Sequence, residues 1–153
     1  MRISKKGLYA LEAAIRLARN WSGQPIKIRE IAELDGIPEK FLELILLDLK
    51  NARLVESQRG AKGGYRLRRE PSKIFLGEIV RKIDGPLAPL GDAEGLRTLI
   101  RSDKQHSALY QVLLDVRNAT AGILDNTSLA DLCDSSGATA QAGEELEPST
   151  ELR

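Results

Sequence analysis

Glycines and basic residues are mixed in the segment SQRGAKGGYRLRRE, residues 57–70. Gly60, Gly63 and Gly64 lie among four arginines and one lysine, a composition that suits contact with phosphates. A phosphate-binding P-loop carries its lysine after the last glycine, between a strand and a helix. Here Lys62 precedes the glycine pair and a strand-like alternation follows, so the segment is not a P-loop. The cations and the framing apolar residues also disfavour a flexible linker, which leaves a finger that touches nucleic acid.

The residues on either side of these glycines predict a β-hairpin. RLVESQ (residues 53–58) and GYRLRR (residues 64–69) each combine apolar with polar or basic side chains in short alternating runs. Two such runs around a glycine-rich turn are typical of a hairpin. At its tip, Arg59 and Lys62 can reach phosphates or enter a narrow minor groove, where the negative potential favours arginine. Tyr65 is expected to pack at the hairpin base.

Two helices joined by a tight glycine turn come just before this hairpin. IREIAELDG, residues 28–36, predicts a short helix that ends at Gly36. Pro38 suits the first turn of a second helix. Helix, glycine turn and helix form the helix-turn-helix signature, and the hairpin that follows makes it a winged helix-turn-helix.

Further helices are predicted before and after this unit. An amphipathic helix over residues 6–20 places Leu8, Leu11 and Ile15 on its apolar face. Another helix over residues 76–85 precedes a Gly/Pro boundary. The predicted fold is therefore mainly α with a small β-hairpin wing: a winged helix-turn-helix domain plus a long dimerisation helix.

The second helix of the pair has one apolar and one polar face when its residues are mapped at about 100° per residue. Leu42, Ile45 and Leu49 lie on the side expected to face the core. The polar side consists of Glu39, Glu43 and Lys50, with Lys40 and Leu47 at its edge. This second set is the candidate reading face, and Glu43 could accept a hydrogen bond from cytosine N4 in the major groove.

A long helix is predicted over residues 106–126, with an apolar stripe along most of its length. Little apolar sequence remains elsewhere to cover this stripe, so we expect it to pack against a second copy of the chain. The alternative is packing against the chain's own winged domain. Helix-turn-helix proteins bind paired half-sites related by a two-fold axis, which favours the dimer. The predicted dimer interface consists of Leu109, Val112, Leu113, Val116, Thr120, Ile123 and Leu124.

Charge is divided unevenly along the chain. Residues 1–82 hold 18 Lys+Arg against 10 Asp+Glu, whereas residues 83–153 hold 5 against 12. A basic first part joined to an acidic second part predicts a polyanionic partner for the first part alone. Chance clustering on a solvated surface is the alternative. The small, polar and acidic stretch at 134–153 is predicted to be a disordered tail.

Composition narrows the class of protein. No apolar run approaches the roughly 18 residues of a membrane span, and the N-terminal stretch lacks a small-residue cleavage site. A cytoplasmic location is therefore expected. A single cysteine, Cys133, excludes an intrachain disulfide framework.

Several segments resemble one family of bacterial regulators in order and spacing. They are MRISKKGLYAL, GIPEKFLELILLDLKNARLV, SQRGAKGGYRL, GEIVRKIDGPL and ILDNTSLADL. With these matches spread from residue 1 to about residue 133, the chain resembles the IscR-type (Rrf2) transcriptional regulators. The resemblance implies a homodimeric winged helix-turn-helix protein that binds a palindromic operator, with the recognition helix in the major groove and the wing in the minor groove.

The resemblance also implies roles for individual residues. Glu39, Lys40, Phe41 and Glu43 would occupy the base-reading part of the recognition helix, Arg59 would reach the minor groove, and the RISKKG start would lie near the DNA backbone. Phe41 is mapped near the core side, so at most its edge is expected to touch a thymine methyl. The full predicted DNA-binding set is Arg2, Lys5, Lys6, Arg29, Glu39, Lys40, Phe41, Glu43, Lys50, Arg59, Gly60, Lys62 and Tyr65.

Four regions are predicted along the chain. Residues 1–85 form the winged DNA-binding domain, 86–105 a linker or effector region, 106–133 the dimerisation helix with a short following helix, and 134–153 the tail. Many relatives carry three cysteines between the first and third regions that ligate an iron–sulfur cluster. This chain has none there, and cluster ligation needs thiolates, so no cofactor and no metal site is predicted.

Two residues could still bind or sense. His106 and Cys133 supply one imidazole and one thiol per subunit, about 27 residues apart and without the spacing of a zinc motif. His106 is expected to be a solvated residue near a helix start. Cys133 is expected to be a small core residue, with a thiol redox sensor acting through an intersubunit disulfide as the alternative. A small molecule or a protein remains open as the effector.

Three classes of function compete. A dimeric DNA-binding regulator, more readily a repressor than an activator, accounts for the helix pair, the basic wing and the charge division. A winged-helix adaptor for other proteins is the alternative, which the acidic Glu39 and Glu43 favour and the cationic wing disfavours. An enzyme is not predicted, and no catalytic residue is assigned, because the chain lacks an acid–base or nucleophile constellation.

Overall fold

A computed structural model of the chain describes residues 2–87 and 92–134. Its elements, in chain order, are α1 (Lys5–Arg19), α2 (Ile28–Asp35), α3 (Glu39–Asn51), β1 (Val55–Gln58), β2 (Gly64–Leu67), α4 (Leu76–Asp84), α5 (Ala93–Ser102), α6 (Ser107–Leu124) and α7 (Leu129–Asp134). No helix in these ranges is long and apolar enough to cross a membrane. The predicted tail lies outside the described residues apart from Asp134.

The helix-turn-helix unit forms because a single residue reverses the chain between α2 and α3. Gly36 adopts φ 63° and its N–H donates to the Ala32 carbonyl, which ends α2 in the left-handed cap that glycine favours. Pro38 then opens α3. The predicted helix–turn–helix order is confirmed.

The main core lies between α1, α3 and the hairpin. Alanines on α1, among them Ala10, Ala13 and Ala14, are fully buried and allow close packing of the neighbouring helices. The prediction that Leu8 belongs to the buried face is wrong, because the buried arc is centred on these alanines and on Leu17, and Leu8 is left exposed.

The wing is a two-stranded antiparallel hairpin, as predicted. Val55 pairs with Leu67 at its base and Gln58 pairs with Gly64 near its tip. Ile26 and Tyr65 exchange two backbone hydrogen bonds of 2.9 and 2.8 Å, so the segment before α2 forms a third, single-bridge edge of the wing.

The region between the winged domain and α6, predicted to be a linker or an effector region, contains a helix. This helix, α5, begins at the N-cap Asp92 and packs on α6. α6 in turn contacts α4, where a small second core forms from Val80, Leu87 and Ala121. α7 returns to the winged domain and packs against α1.

Candidate nucleic-acid interface

α3 has the two faces that its sequence predicts. Leu42, Ile45 and Leu49 are fully buried in the main core. The polar set consists of exposed residues: Glu39, Lys40, Glu43 and Lys50. These side chains are therefore free to meet a ligand that lies along the outer side of α3.

Phe41 occupies a position between these faces. It is half-buried, and its ring meets the Tyr9 ring of α1 edge-on, with centroids 5.7 Å apart. An edge-to-face pair of this kind fixes the position of α3 against α1. Phe41 therefore orients α3, and only part of its ring is open to a ligand.

Two leucines lie on the outward side of α3. Leu44 is 56% exposed and Leu47 is 53% exposed, although both are large apolar residues. The sequence mapping put Leu47 at the edge of the polar face and left Leu44 out. At about 100° per residue both leucines lie opposite the buried set, so the helix period alone indicates that they are exposed.

The start of the chain is held in place by α4. Ser4 caps α1 by accepting a hydrogen bond of 2.9 Å from the Gly7 N–H. The Ser4 backbone N–H donates to Asp84 Oδ2 at 2.9 Å, and the Ser4 hydroxyl donates to Asp84 Oδ1. The basic side chains around Ser4 are thus presented from a fixed helix terminus.

The cations at this terminus have different surroundings. Arg2 is exposed, and Lys5 lies over the Tyr9 ring with its Nζ 5.6 Å from the centroid. Lys6 forms an ion pair of 2.6 Å with Asp48 of α3. Lys6 therefore joins α1 to α3, and part of its charge is already neutralised.

The wing tip carries unneutralised positive charge. Arg59 and Lys62 are exposed, and neither forms an ion pair with any residue in the ranges that the structure covers. Gly60 adopts φ 106°, and its carbonyl accepts a hydrogen bond of 3.0 Å from Gly63. A Cβ at Gly60 would meet no atom within 4 Å, so this glycine gives the tip an open backbone surface.

A shallow groove separates the wing from the start of α2. It has a volume of about 330 Å³ and is lined by Lys27, Ile28, Arg29, Gln58, Gly60, Gly63, Gly64 and Tyr65. Arg29 is highly exposed and pairs with Glu33 at 3.1 Å along α2. Tyr65 is half-buried against the main core, as expected for a packing residue, but it pairs with Ser57 and so lies near the tip of the hairpin and not at its base.

Direct contacts join these elements into one surface. Lys50 Nζ of α3 donates to Ser57 Oγ of β1 at 2.9 Å. The Lys6–Asp48 pair joins α3 to α1, and the Ile26–Tyr65 backbone pair joins the wing to the start of α2. The structure therefore brings the predicted DNA-binding residues onto adjoining elements, although it does not test their individual roles.

The predicted dimer stripe on α6 is divided between two environments. Leu109, Val112, Val116 and Ile123 are each more than half exposed. Leu113, Thr120 and Leu124 are half-buried, and Leu124 packs on the small core with Val80 and Leu87. The sequence could not separate the free part of the stripe from the part that packs within the chain.

α4 contacts both the end of α6 and the start of the chain. Arg81 donates two hydrogen bonds, of 2.6 and 2.8 Å, to the Asp125 carboxylate at the end of α6, which lowers the pKa of Asp125. Three residues further on, Asp84 holds Ser4. A cavity of about 260 Å³ lies beside these contacts, lined by Arg81, Gly85, Pro86, Leu87, Asp92 and Arg117.

His106 and Cys133 lie in unrelated settings. His106 is exposed just before α6, and its Nδ1 is 2.8 Å from Asp103 Oδ2, a contact that lowers the pKa of Asp103. Cys133 is half-buried against the main core, and burial raises the pKa of its thiol. Within residues 2–87 and 92–134, no group of three or more His, Cys, Asp and Glu side chains could hold a metal ion.

Comparisons with known sequences place the chain among transcriptional regulators. A family named Rrf2, described as an iron-dependent transcriptional regulator, matches residues 3–135. The HTH-type transcriptional regulator CymR of Bacillus subtilis is 36% identical over 132 residues, which cover 86% of this chain and 89% of that protein. An HTH-type transcriptional regulator of Mycobacterium tuberculosis is 41% identical over 132 residues, covering 86% and 81% of the two chains.

Solved structures give the same result. The structure of CymR, described as the global cysteine regulator of B. subtilis, matches with a TM-score of 0.76 and 34% identity over 88% of this chain and 97% of that chain. IscR of T. potens matches with a TM-score of 0.72 and 30% identity over 97% and 94%. The winged helix arrangement seen here is thus the one that these regulators share.

Proposed function

The chain belongs to the Rrf2 family of DNA-binding transcriptional regulators, and on that premise we propose that it acts as a homodimeric repressor on a palindromic operator. One observation carries the proposal: α3, the unneutralised wing tip and the fixed start of α1 form a single continuous surface. The matching proteins are transcriptional regulators and not enzymes, which removes the enzyme alternative.

Each part of this surface has a distinct role in the proposed complex. α3 enters the major groove, where Glu43 accepts a hydrogen bond from a cytosine amino group. Arg59 enters the neighbouring minor groove, whose negative potential attracts arginine where the groove is narrow. Arg2, Lys5 and Lys62 contact phosphates, which supply affinity and register without reading bases.

The dimer follows from the exposed stripe on α6. Two copies that pack their Leu109, Val112, Val116 and Ile123 faces together would cover the apolar area that a monomer leaves in water. A two-fold dimer places its two recognition helices on half-sites about one helical turn apart, or a multiple of it. A protein bound in this way over a promoter excludes polymerase, which is why repression is proposed.

Removing charge from the wing tip is expected to weaken operator binding in a salt-dependent manner. Arg59→Ala should reduce affinity by about tenfold or more, since a lost groove arginine costs roughly 1–3 kcal/mol. Lys62→Ala should make the negative slope of log K against log salt shallower by about 2, because each of two wings loses one phosphate contact. Band-shift or anisotropy titrations at several salt concentrations measure both quantities.

The matched control for these variants is Lys104→Ala. Lys104 is an exposed cation at the α5–α6 turn, outside the winged domain, and its removal should leave both affinity and salt slope unchanged. If the wing variants keep the parental affinity and slope while the parent binds DNA, the wing does not contact the duplex. Salt-independent binding by the parent would contradict the DNA-binding mode as a whole.

The protein is also proposed to work without an iron–sulfur cluster, although its family is described as iron-dependent. Cluster ligation requires about four ligands, most of them thiolates, and the chain has one cysteine and one histidine. That cysteine has its pKa raised by burial, which disfavours the thiolate form. The donor set therefore does not fit a cluster.

Protein purified without oxygen is accordingly expected to be colourless. Metal and sulfide analysis should find far less than one iron per subunit, and a chelator should not change operator affinity. Cys133→Ser should bind the operator as tightly as the parent. A brown protein with stoichiometric iron and sulfide would overturn this part of the proposal.

A further inference from the structure

Leu44 and Leu47 are unusual among the outward residues of α3. They lie three residues apart and are 56% and 53% exposed, whereas Glu39, Lys40 and Glu43 beside them are charged. Fully burying one leucine is worth about 1.5–3 kcal/mol, so two solvated leucines on one turn lose a substantial part of that free energy. Such exposure suggests a partner that covers them.

No element of the described chain can provide that cover. Neither leucine belongs to either core cluster. On one flank of α3, Phe41 and Asp48 are occupied by Tyr9 and Lys6 of α1. On the other flank Lys50 contacts the wing, so the two leucines lie on the strip of α3 between the flanks, pointing away from the protein.

DNA is the partner that this position favours. The strip is continuous with the surface formed by α3, the wing and α1, and Lys40 and Lys50 on the same helix supply the positive charge that a duplex attracts. In the major groove, the C5-methyl group of thymine is the apolar feature of the base-pair edges. A leucine cannot form a hydrogen bond with the donors and acceptors of the other edges, so it favours that methyl.

We propose that Leu44 and Leu47 read thymine methyl groups, and that each operator half-site therefore carries thymines at two neighbouring positions. Three residues along a helix span about 4.5 Å, close to the 3.4 Å between successive base pairs. The two side chains can thus reach methyls on two neighbouring base pairs. This inference rests on the proposed function, since it assigns a specificity to the same surface.

The test begins with an operator obtained by repeated selection of bound duplexes from a random library. Each thymine in the half-site is then replaced by deoxyuridine, which removes only the methyl group. Replacing a contacted thymine in one half-site should lower the affinity of the parent protein for the duplex about fourfold, the factor that corresponds to the transfer free energy of one CH₂. Replacing it in both half-sites should lower the affinity about 15-fold.

The protein side of the test uses Leu47→Ala and Leu44→Ala. If each leucine contacts a methyl, then at each contacted thymine one of the two variants should bind the deoxyuridine duplex almost as tightly as the thymine duplex. The matched control is Leu34→Ala, since Leu34 is equally exposed at 56% but lies on α2. It should retain the full deoxyuridine effect. Circular dichroism and thermal melting confirm that these surface variants fold.

The outcomes distinguish this inference from the function on which it rests. Specific, salt-dependent binding whose affinity ignores deoxyuridine at every position would overturn the methyl contact and leave the DNA-binding function standing. An equal deoxyuridine effect in the parent and in both α3 variants would also overturn it. Failure to select any duplex would instead contradict the proposed function.

Discussion

Replacing Val116 by aspartate is expected to convert the proposed dimer into monomers and to weaken operator binding by at least about 100-fold. Val116 lies in the middle of the exposed stripe on α6, between Val112 and Ile123. In a two-fold interface the substitution places two carboxylates in an apolar contact, close to one another and without a partner, which costs several kcal/mol. Operator affinity falls with it, because one dimer engages two half-sites at once and a monomer engages only one.

Sedimentation velocity and titration against full and single half-sites separate these two effects. The Val116→Asp monomer should bind a single half-site about as well as the parent does, since its α3 and wing are unchanged. Asn118→Asp is the control, because it adds the same charge on the same helix roughly 160° away from Val116. It should remain a dimer. A dimeric Val116→Asp protein with undiminished operator affinity would show that the stripe is not the interface.

The fold was predictable where local sequence decides it. A glycine at φ 63° between two short helices, a proline at the start of α3 and glycines between alternating runs each specify backbone conformation over a few residues. The helix-turn-helix and the wing follow from these signals alone. The same locality explains why the bounds of α2 and α4 match the predicted ranges closely.

Choices between helix faces were less predictable because they depend on tertiary packing. On α1 the alanines Ala10 and Ala13 are buried and Leu8 is exposed, since small residues let the neighbouring helices approach closely. On α6 one part of the apolar stripe packs against α4 and α5 of the same chain. The other part forms an exposed outer face. Hydrophobicity along one helix cannot assign these contacts, and it also fails for Leu44, which is apolar and 56% exposed.

α5 is not among the helices predicted from the sequence, and it lies in the region predicted to be a linker or an effector region. Gly/Pro residues near position 86 signal a boundary, but the helix that follows carries its own signals, an aspartate N-cap at Asp92 and apolar residues at 96, 99 and 100. Leu96 is fully buried, because α5 lies against α6. The aspartate N-cap and the apolar spacing are local signals from which this helix could be predicted.

Replacing Gly64 by alanine is expected to detach the wing and to destabilise the protein by about 3 kcal/mol or more. Gly64 adopts φ 147°, which L side chains rarely occupy, at a cost of roughly 1–3 kcal/mol. Its Cβ would also lie 2.4 Å from the Ile26 carbonyl oxygen and 2.9 Å from the Lys27 nitrogen. These are backbone atoms that cannot rotate away, so the Ile26–Tyr65 hydrogen-bonded pair must open.

Gly60→Ala is the matched control for this substitution. Gly60 also has a positive φ, of 106°, but an added Cβ there would meet no atom within 4 Å. The variant should therefore lose only about 1–3 kcal/mol from backbone strain, so the difference between the two alanine variants measures the contact with the segment before α2. Urea unfolding gives both free energies, and binding to the selected operator shows whether Gly64→Ala has lost the wing contribution. Equal destabilisation in the two variants would mean that the Ile26–Tyr65 pair does not hold the wing, and Arg59 would then be carried by a hairpin free to move relative to α3.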